Sequence, residues 1–166
     1  MSASSPGSRD PRGVAPTLAV VVPATDSPAS LGACLAAINN GSRIPEELIV
    51  LREPAGIGPA AARNLGAAEA GADVIVFVDS DVEVHPDALE RIAARFAVDP
   101  GLEALFGAYD DDPAHAGLTS RYRNLLHHHV HASAAGEAET FWAGLGGVRR
   151  EAIGRASCRE RVSECV

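Results

Sequence analysis

Three short runs of apolar residues stand out in the first half of the chain. They cover residues 18–23, 48–51 and 74–78, and each is rich in Val, Ile or Leu with no polar residue inside it. Continuous apolar runs of this length are typical of strands that are covered on both faces of a parallel sheet. The sequence therefore predicts three buried strands.

A helical pattern follows each of these runs. The first predicted helix has Ser30 as its N-cap, and the second, rich in Ala, begins at Gly58-Pro59 and should end at Gly71. The apolar faces of the first and third helices contain Leu31, Cys34, Leu35 and Ile38, and Leu89, Ile92, Ala93 and Phe96, respectively. Strands that alternate with helices predict an α/β fold with a mainly parallel central sheet.

The alternation weakens in the second half of the chain. Residues 102–109 predict another strand that ends in an acidic turn, and residues 141–147 predict a short strand with a glycine loop. Between them, 118–131 predicts an amphipathic helix. Its His127 and His131 lie one turn apart, which leaves two interpretations open. They belong to a solvated polar face, or they supply part of a metal site that lacks a recognisable third ligand.

The two ends of the chain differ from the part between them. Residues 1–16 are rich in Ser, Pro, Gly and Arg and predict a disordered leader. Residues 153–166 contain two of the three cysteines and no apolar period, and they resemble a translated sequencing adapter. We therefore expect a non-native tail there, with a natural exposed tail as the alternative. The remaining residues, 17–152, are expected to form one domain that is incomplete at its C-terminus.

The amino-acid composition limits the kinds of molecule that this protein is expected to bind. The chain has 166 residues, enough for one domain, and its formal net charge is −8. All 14 basic residues are Arg and none forms a cluster larger than a pair, which argues against nucleic acid as a partner. No signal peptide or membrane span is recognisable, so we expect a cytoplasmic protein, with membrane association of a longer form left open.

The strongest indication of a site is the sequence Asp79-Ser80-Asp81, directly after the third predicted strand. Ligands of open α/β sheets bind outside the carboxyl ends of the strands. Two carboxylates at that edge can share a hard cation, Mg²⁺ or Mn²⁺, whose open positions accept phosphate oxygens. The alternative is a solvated acidic turn, since isolated Asp-x-Asp sequences are common.

The order of these segments resembles that of family 2 glycosyltransferases, which have the GT-A fold. The resemblance covers residues 18–152 and is most specific in the Arg63-Asn64 helix followed by the Asp-Ser-Asp strand. It includes the opening Val21-Val22-Pro23 and the segment Phe141-Trp142-Ala143-Gly144 with Arg149-Arg150, which looks like the acceptor-side loop of the family. It implies a GT-A-like, Rossmann-type sandwich.

The resemblance also implies roles for particular residues. Asp81 would bind the metal, and Asp79 would contact the ribose of the donor or share the metal. Arg63, Asn64, Pro23, Thr25 and Asp26 would contact the nucleotide, and Trp142, Gly144 and Gly147 would lie on the acceptor side. Trp142 is open to two interpretations, a core aromatic or a platform for a sugar ring.

This sequence departs from the family pattern in two places. It has no Asn-Glu or Asn-Asp pair after Pro23. It also has Glu53 rather than an aspartate after the second strand, so the base of the nucleotide stays open.

The implied reaction is inverting transfer of a sugar from a nucleotide sugar to an acceptor hydroxyl, with metal assistance. The acceptor is a lipid-linked molecule, a glycan or a small molecule, and the catalytic base is expected downstream of this chain, which should therefore be inactive by itself. Two alternatives stay open. One is a HAD-type phosphohydrolase that uses the Asp-x-Asp, although Glu83 departs from that motif. The other is a non-catalytic nucleotide-binding module.

Overall fold

The computed structural model describes residues 15–26, 28–107 and 141–153. Strands and helices alternate through most of these ranges. In chain order they are β1 (Leu18–Pro23), α1 (Leu31–Asn39), β2 (Glu47–Leu51), α2 (Pro59–Glu69), β3 (Val74–Val78), α3 (Ala88–Val98), β4 (Ala104–Phe106), β5 (Leu145–Arg149) and α4 (Arg150–Ile153). The three strands predicted in the first half are confirmed, whereas the strand predicted at 102–109 is only three residues long within the described part.

The described strands form one sheet in the order β2-β1-β3-β5-β4. β1 pairs in parallel with both β2 and β3, whereas β5 is antiparallel to β3 and to β4. Four strands therefore run in one direction, and β5 runs between two of them in the other. The predicted α/β class with a mainly parallel centre is confirmed.

Every residue of β1 and β3 is buried, because helices cover both faces of the sheet. On one face, alternate residues of these strands pack with Cys34 and Ile38 of α1 and with the predicted apolar face of α3. On the other face, Val21, Ile75 and Phe77 pack with Ala62 of α2. The alternation follows from the two-residue period of a strand.

Helix α2 lies unusually close to β1 at Gly66. A Cβ atom added to this glycine would lie 2.4 Å from Cγ1 of Val21. No carbon atom tolerates that distance, so glycine is needed here for the helix to pack on the strand. This contact fixes the position of α2, and with it the position of Arg63 one turn earlier.

The expected helix ends are only partly correct. Pro59 is in the first turn of α2, as predicted, but Ser30 makes no side-chain capping hydrogen bond to α1. Helix α2 ends at Glu69 with Ala70 as its C-cap, so Gly71 directly follows the helix as predicted, although its N–H bonds to no helix carbonyl. The N–H of Gly71 instead donates to Oε2 of Glu47 at the start of β2.

The predicted glycine loop is a strand. Gly146 and Gly147 lie within β5 and pair with Phe77 and Val76 of β3. A Cβ atom on Gly147 would lie 3.1 Å from the ring of Phe96. Glycine is therefore needed for α3 to pack closely on the sheet, and the two glycines reflect packing rather than a turn.

Other predictions fall outside the described residues. They are the helix over 118–131 with His127 and His131, and nearly all of the predicted leader and tail. No helix in the described ranges is long and apolar enough to cross a membrane.

Candidate functional site

Four segments meet at the carboxyl edge of β1, β2 and β3. Because these strands are parallel, residues 24–26, 52–58 and 79–82 all leave the sheet at this edge. β5 is antiparallel, so its first residue, Leu145, pairs with Val78 at the end of β3. Residues 141–144 therefore lie at the same edge, which is where open α/β sheets bind ligands.

Asp79 is held by neighbours on several sides. Its backbone N–H donates to the carbonyl oxygen of Gly144 at 3.0 Å, and its own carbonyl oxygen accepts from the N–H of Val82 at 3.0 Å. The thiol of Cys34 in α1 also approaches that carbonyl, at 3.5 Å. The side-chain Oδ1 accepts a hydrogen bond from the guanidinium of Arg63 in an ion pair. Both the backbone and the carboxylate of Asp79 are thus fixed.

Arg63 reaches Asp79 from the second turn of α2. Its side chain is 20% exposed and that of Asp79 is 32% exposed, so the pair is only partly accessible to water. Nε of Arg63 is buried and has no hydrogen-bond partner among the described residues. An unsatisfied buried donor costs about 1–3 kcal/mol, which reduces what the pair contributes to stability.

Asp81 has very different surroundings from Asp79. It lies two residues later in the same turn and is exposed. Among the described residues, no group donates a hydrogen bond or forms an ion pair with its carboxylate. The Asp-Ser-Asp sequence therefore places one fixed and one free carboxylate side by side.

The pKa of the Cys34 thiol reflects the negative charge at this edge of the sheet. The pKa of Cys34 is raised from 9.0 to about 11, chiefly by burial and then by the negative charges of Asp81, Asp79 and Glu83. The thiol is consequently neutral at physiological pH. A positive group, such as a divalent cation, would offset the same negative field.

The loops after β1 and β2 form one connected wall. The N–H of Ala24 donates to the carbonyl oxygen of Leu51 at 2.8 Å, and the N–H of Gly56 donates to that of Thr25 at 3.1 Å. Pro23 and Thr25 are buried in this wall, whereas Asp26 is exposed. The second loop needs glycine at two positions, because Gly56 and Gly58 have φ angles of 74° and 82°.

Two more residues expected near the nucleotide do not join the cluster around Asp79. Asn64 is exposed on α2 and makes no described hydrogen bond to Asp79 or Asp81. Oε2 of Glu53 accepts the N–H of Ala55 at 3.0 Å within its own loop.

The structure places the residues predicted for the acceptor side in two different locations. Trp142 packs over Gly144, where an added Cβ atom would lie 2.6 Å from the indole ring. Gly144 in turn accepts the hydrogen bond from Asp79, so these two residues lie at the candidate site. Gly147 instead lies inside β5 against α3.

The inclusion of Arg149-Arg150 in an acceptor-side loop is wrong. Arg149 pairs with Val74 at the start of β3, and so lies at the opposite edge of the sheet from Asp79. Its guanidinium donates to the carbonyl oxygens of Phe96, Asp99 and Leu102, and that of Arg150 donates to Ala72. Both arginines hold chain segments together.

Sequence reasoning also missed two contacts of Asp79, with Cys34 and with Gly144. The sequence predicts only a place on an apolar helix face for Cys34, and nothing in the sequence pairs position 34 with position 79. The contact arises from the packing of α1 under the end of β3.

The donor groups at this edge fit a hard cation that completes its shell with ligand oxygens. The described residues contain no group of three or more His, Cys, Asp or Glu side chains arranged around a metal. Asp81 would supply the carboxylate oxygens, with or without the second oxygen of Asp79, because Mg²⁺ or Mn²⁺ binds readily through one or two carboxylates plus phosphate oxygens and water.

The family model described as glycosyl transferase family 2 matches residues 37–155, which include α2, β3 and the Asp-Ser-Asp turn. The chain belongs to glycosyl transferase family 2. Family membership supports a transferase rather than a phosphohydrolase. No curated protein sequence matches this family 2 chain.

Solved structures of similar fold include enzymes with bound nucleotide sugars. A mannosyltransferase from Pyrobaculum calidifontis, in complex with GDP-Man and Mn²⁺, has a TM-score of 0.62 at 19% identity. Glucosyl-3-phosphoglycerate synthase from Mycobacterium tuberculosis, in complex with Mn²⁺, UDP-glucose and phosphoglyceric acid, has a TM-score of 0.56 at 20% identity. TarS from S. aureus has a TM-score of 0.58 at 13% identity.

At these identities the likeness concerns the fold, and the expected GT-A-like fold is confirmed. The match covers 89% of this chain and 48% of the mannosyltransferase, 83% and 58% for the synthase, and 84% and 48% for TarS. The chain therefore spans about half the length of these structures.

Proposed function

We propose that this protein transfers a sugar from a nucleotide sugar to an acceptor hydroxyl, with inversion and with a divalent cation. The observation that carries the proposal is the Asp79-Ser80-Asp81 turn, one carboxylate fixed by Arg63 and the other free, at the carboxyl edge of a buried parallel sheet. Family membership and the nucleotide sugars and Mn²⁺ in similarly folded enzymes support it.

The two aspartates have different tasks in this proposal. Asp81 is exposed and unpaired among the described residues, so it is the anionic ligand for Mg²⁺ or Mn²⁺. Such a cation, when bound, stabilises negative charge on the leaving diphosphate. Asp79 keeps one carboxylate oxygen beyond its pair with Arg63, and this oxygen accepts a hydrogen bond from a ribose hydroxyl.

The surrounding loops bind the rest of the donor. The wall formed by Thr25, Asp26 and residues 52–58 lies beside the aspartates and contacts the base and ribose. Trp142 and Gly144 lie on the β5 side of Asp79 and form the start of the acceptor region. A carboxylate base is needed to deprotonate the acceptor hydroxyl, and we assign it to no described residue.

A phosphohydrolase mechanism fits this site less well. In that class the first aspartate of the motif attacks phosphorus as a nucleophile. Here the corresponding Asp79 is tied to Arg63, and an ion pair with a guanidinium makes a carboxylate a weaker nucleophile.

The test is release of nucleoside diphosphate from GDP-mannose and UDP-glucose with Mn²⁺ and candidate acceptors. It compares the 166-residue chain with the product of the gene read to its stop codon. We expect donor binding by both and, where that product extends beyond residue 166, turnover only by it, because a positioned base contributes about 10²–10⁴-fold. Equal turnover would show that this chain already contains the base. Hydrolysis of a generic phosphate ester without sugar transfer would contradict the proposed function.

A further inference from the structure

We infer that Arg63 is a positioning residue, which acts on the nucleotide donor through Asp79 rather than by contacting the donor itself. This inference rests on the proposed function and deepens it. It assigns to the arginine of α2 a task that family membership does not: to orient one carboxylate of the pair and to offset its charge.

The geometry commits the guanidinium to Asp79. Helix α2 is fixed on β1 by the contact between Gly66 and Val21, and Arg63 lies one turn before this contact. From there it donates to Oδ1 of Asp79. Nε of Arg63 is buried from solvent, so it faces the protein rather than the open edge.

Asp79 is also fixed at its backbone, by Gly144 on one side and by Cys34 and Val82 on the other. The carboxylate can then rotate only about its side-chain torsions, and the bond from Arg63 restricts that rotation. Its second oxygen consequently points in one direction. A hydrogen-bond acceptor oriented in advance binds a ribose hydroxyl without the entropy cost of ordering the side chain.

Stability does not explain the pair. The pair is partly exposed, and Nε of Arg63 has no partner in the part of the chain that the structure describes, so the net contribution of the pair to the free energy of unfolding is small. The buried residues of α2 next to Arg63 are small, Ala62 and Gly66. An arginine on this face is explained by its effect on Asp79.

Charge gives Arg63 a second effect. Two unpaired carboxylates in one turn repel each other and repel the diphosphate of a donor. Arg63 offsets the charge of Asp79, so Asp81 remains the anionic ligand for the cation. Removing Arg63 therefore leaves an unpaired negative charge beside the diphosphate.

The test is a double-mutant cycle on the affinity of the 166-residue chain for GDP and UDP, each with Mn²⁺, measured by calorimetry. The variants are Arg63→Ala, Asp79→Ala and the double variant, with Arg63→Lys as the conservative change and Arg91→Ala as the control. Arg91 is 75% exposed on α3 and lies outside the site. Thermal unfolding of each variant is recorded alongside, to separate loss of affinity from loss of fold.

We expect each single variant at Arg63 or Asp79 to bind about tenfold or more weakly, as for the loss of a charged hydrogen bond. The double variant should bind no more weakly than the weaker single variant, within the roughly twofold error of additivity. Arg63→Lys should recover part of the affinity, and Arg91→Ala should match the unmodified chain.

The affinity of the double variant could instead be lowered by the product of the two single fold-losses. That result would show that Arg63 contacts the nucleotide directly, and it would overturn this inference while leaving the proposed function intact. Absence of Mn²⁺-dependent binding of either nucleotide by the unmodified chain would instead contradict the proposed function, and this inference with it.

Discussion

The backbone N–H of Asp79 donates a hydrogen bond to the carbonyl oxygen of Gly144 at 3.0 Å. This contact joins the end of β3 to the residue before β5, which runs in the opposite direction. It places the packed Trp142-Gly144 unit beside the aspartates. The proposed donor and acceptor sides therefore lie at one edge of the sheet, and their relative position follows from strand pairing.

The close contact between α2 and β1 gives a prediction about stability. Gly66→Ala should lower the free energy of unfolding by about 1–3 kcal/mol, because the new Cβ atom would overlap Val21 and the helix must shift. Gly32→Ala is the matched control, since no atom lies within 4 Å of its added Cβ. That change should stabilise the protein by roughly 0.5–1 kcal/mol through helix propensity. Urea unfolding measures both, and the same sign for the two variants would contradict the packing described here.

Arg149 should be a structural residue and not an acceptor-binding one. Its guanidinium donates to the carbonyl oxygens of Phe96, Asp99 and Leu102 and lies 5.2 Å from the centre of the Phe96 ring. Arg149→Met keeps much of the side-chain volume but removes the donors, so we expect a loss of about 2–4 kcal/mol in the free energy of unfolding. Arg91→Met, at an exposed site, should change it by less than about 0.5 kcal/mol. Comparable losses in the free energy of unfolding for the two variants would contradict the structural role of Arg149.

The buried thiol gives a prediction about pH. The pKa of Cys34 is raised from 9.0 to about 11, chiefly by burial, so folding favours the protonated thiol. The stability that this preference contributes is fully present below pH 9 and is lost as the pH rises through about 11. The free energy of unfolding should therefore fall over this interval more steeply for the unmodified protein than for Cys34→Ala. Urea titrations at each pH measure this free energy. The same dependence on pH for both proteins would contradict the raised pKa of Cys34.

The first half of the fold could be predicted because its signals are local. β1 and β3 are continuous apolar runs, and α3 has all four predicted apolar residues buried. Asp79 and Asp81 follow β3 directly, and chain connectivity alone places them at the carboxyl edge of a parallel sheet.

The second half could not be predicted in the same way, because its structure depends on distant contacts. Gly146 and Gly147 look like turn residues, yet they are strand residues since Phe141 and Phe96 occupy the space of their side chains. The pairing of β5 with β3 joins residues 67 to 75 positions apart, and its pairing with β4 joins residues 40 to 44 positions apart. The same limit applies to Arg149, which binds carbonyl groups near the end of α3.

The central claim is that the Asp79-Ser80-Asp81 turn binds a nucleoside diphosphate through a divalent cation. Calorimetry of GDP and UDP, with and without Mn²⁺, on the unmodified chain, Asp81→Asn and Glu83→Gln tests it most directly. Glu83 is an exposed carboxylate two residues further on, so its variant removes the same charge without removing the proposed ligand. We predict Mn²⁺-dependent binding by the unmodified chain and by Glu83→Gln, and its loss in Asp81→Asn at an unchanged unfolding midpoint, because an amide is a poor ligand for a hard cation. Equal Mn²⁺-dependent affinity in Asp81→Asn and in the unmodified chain would contradict the account.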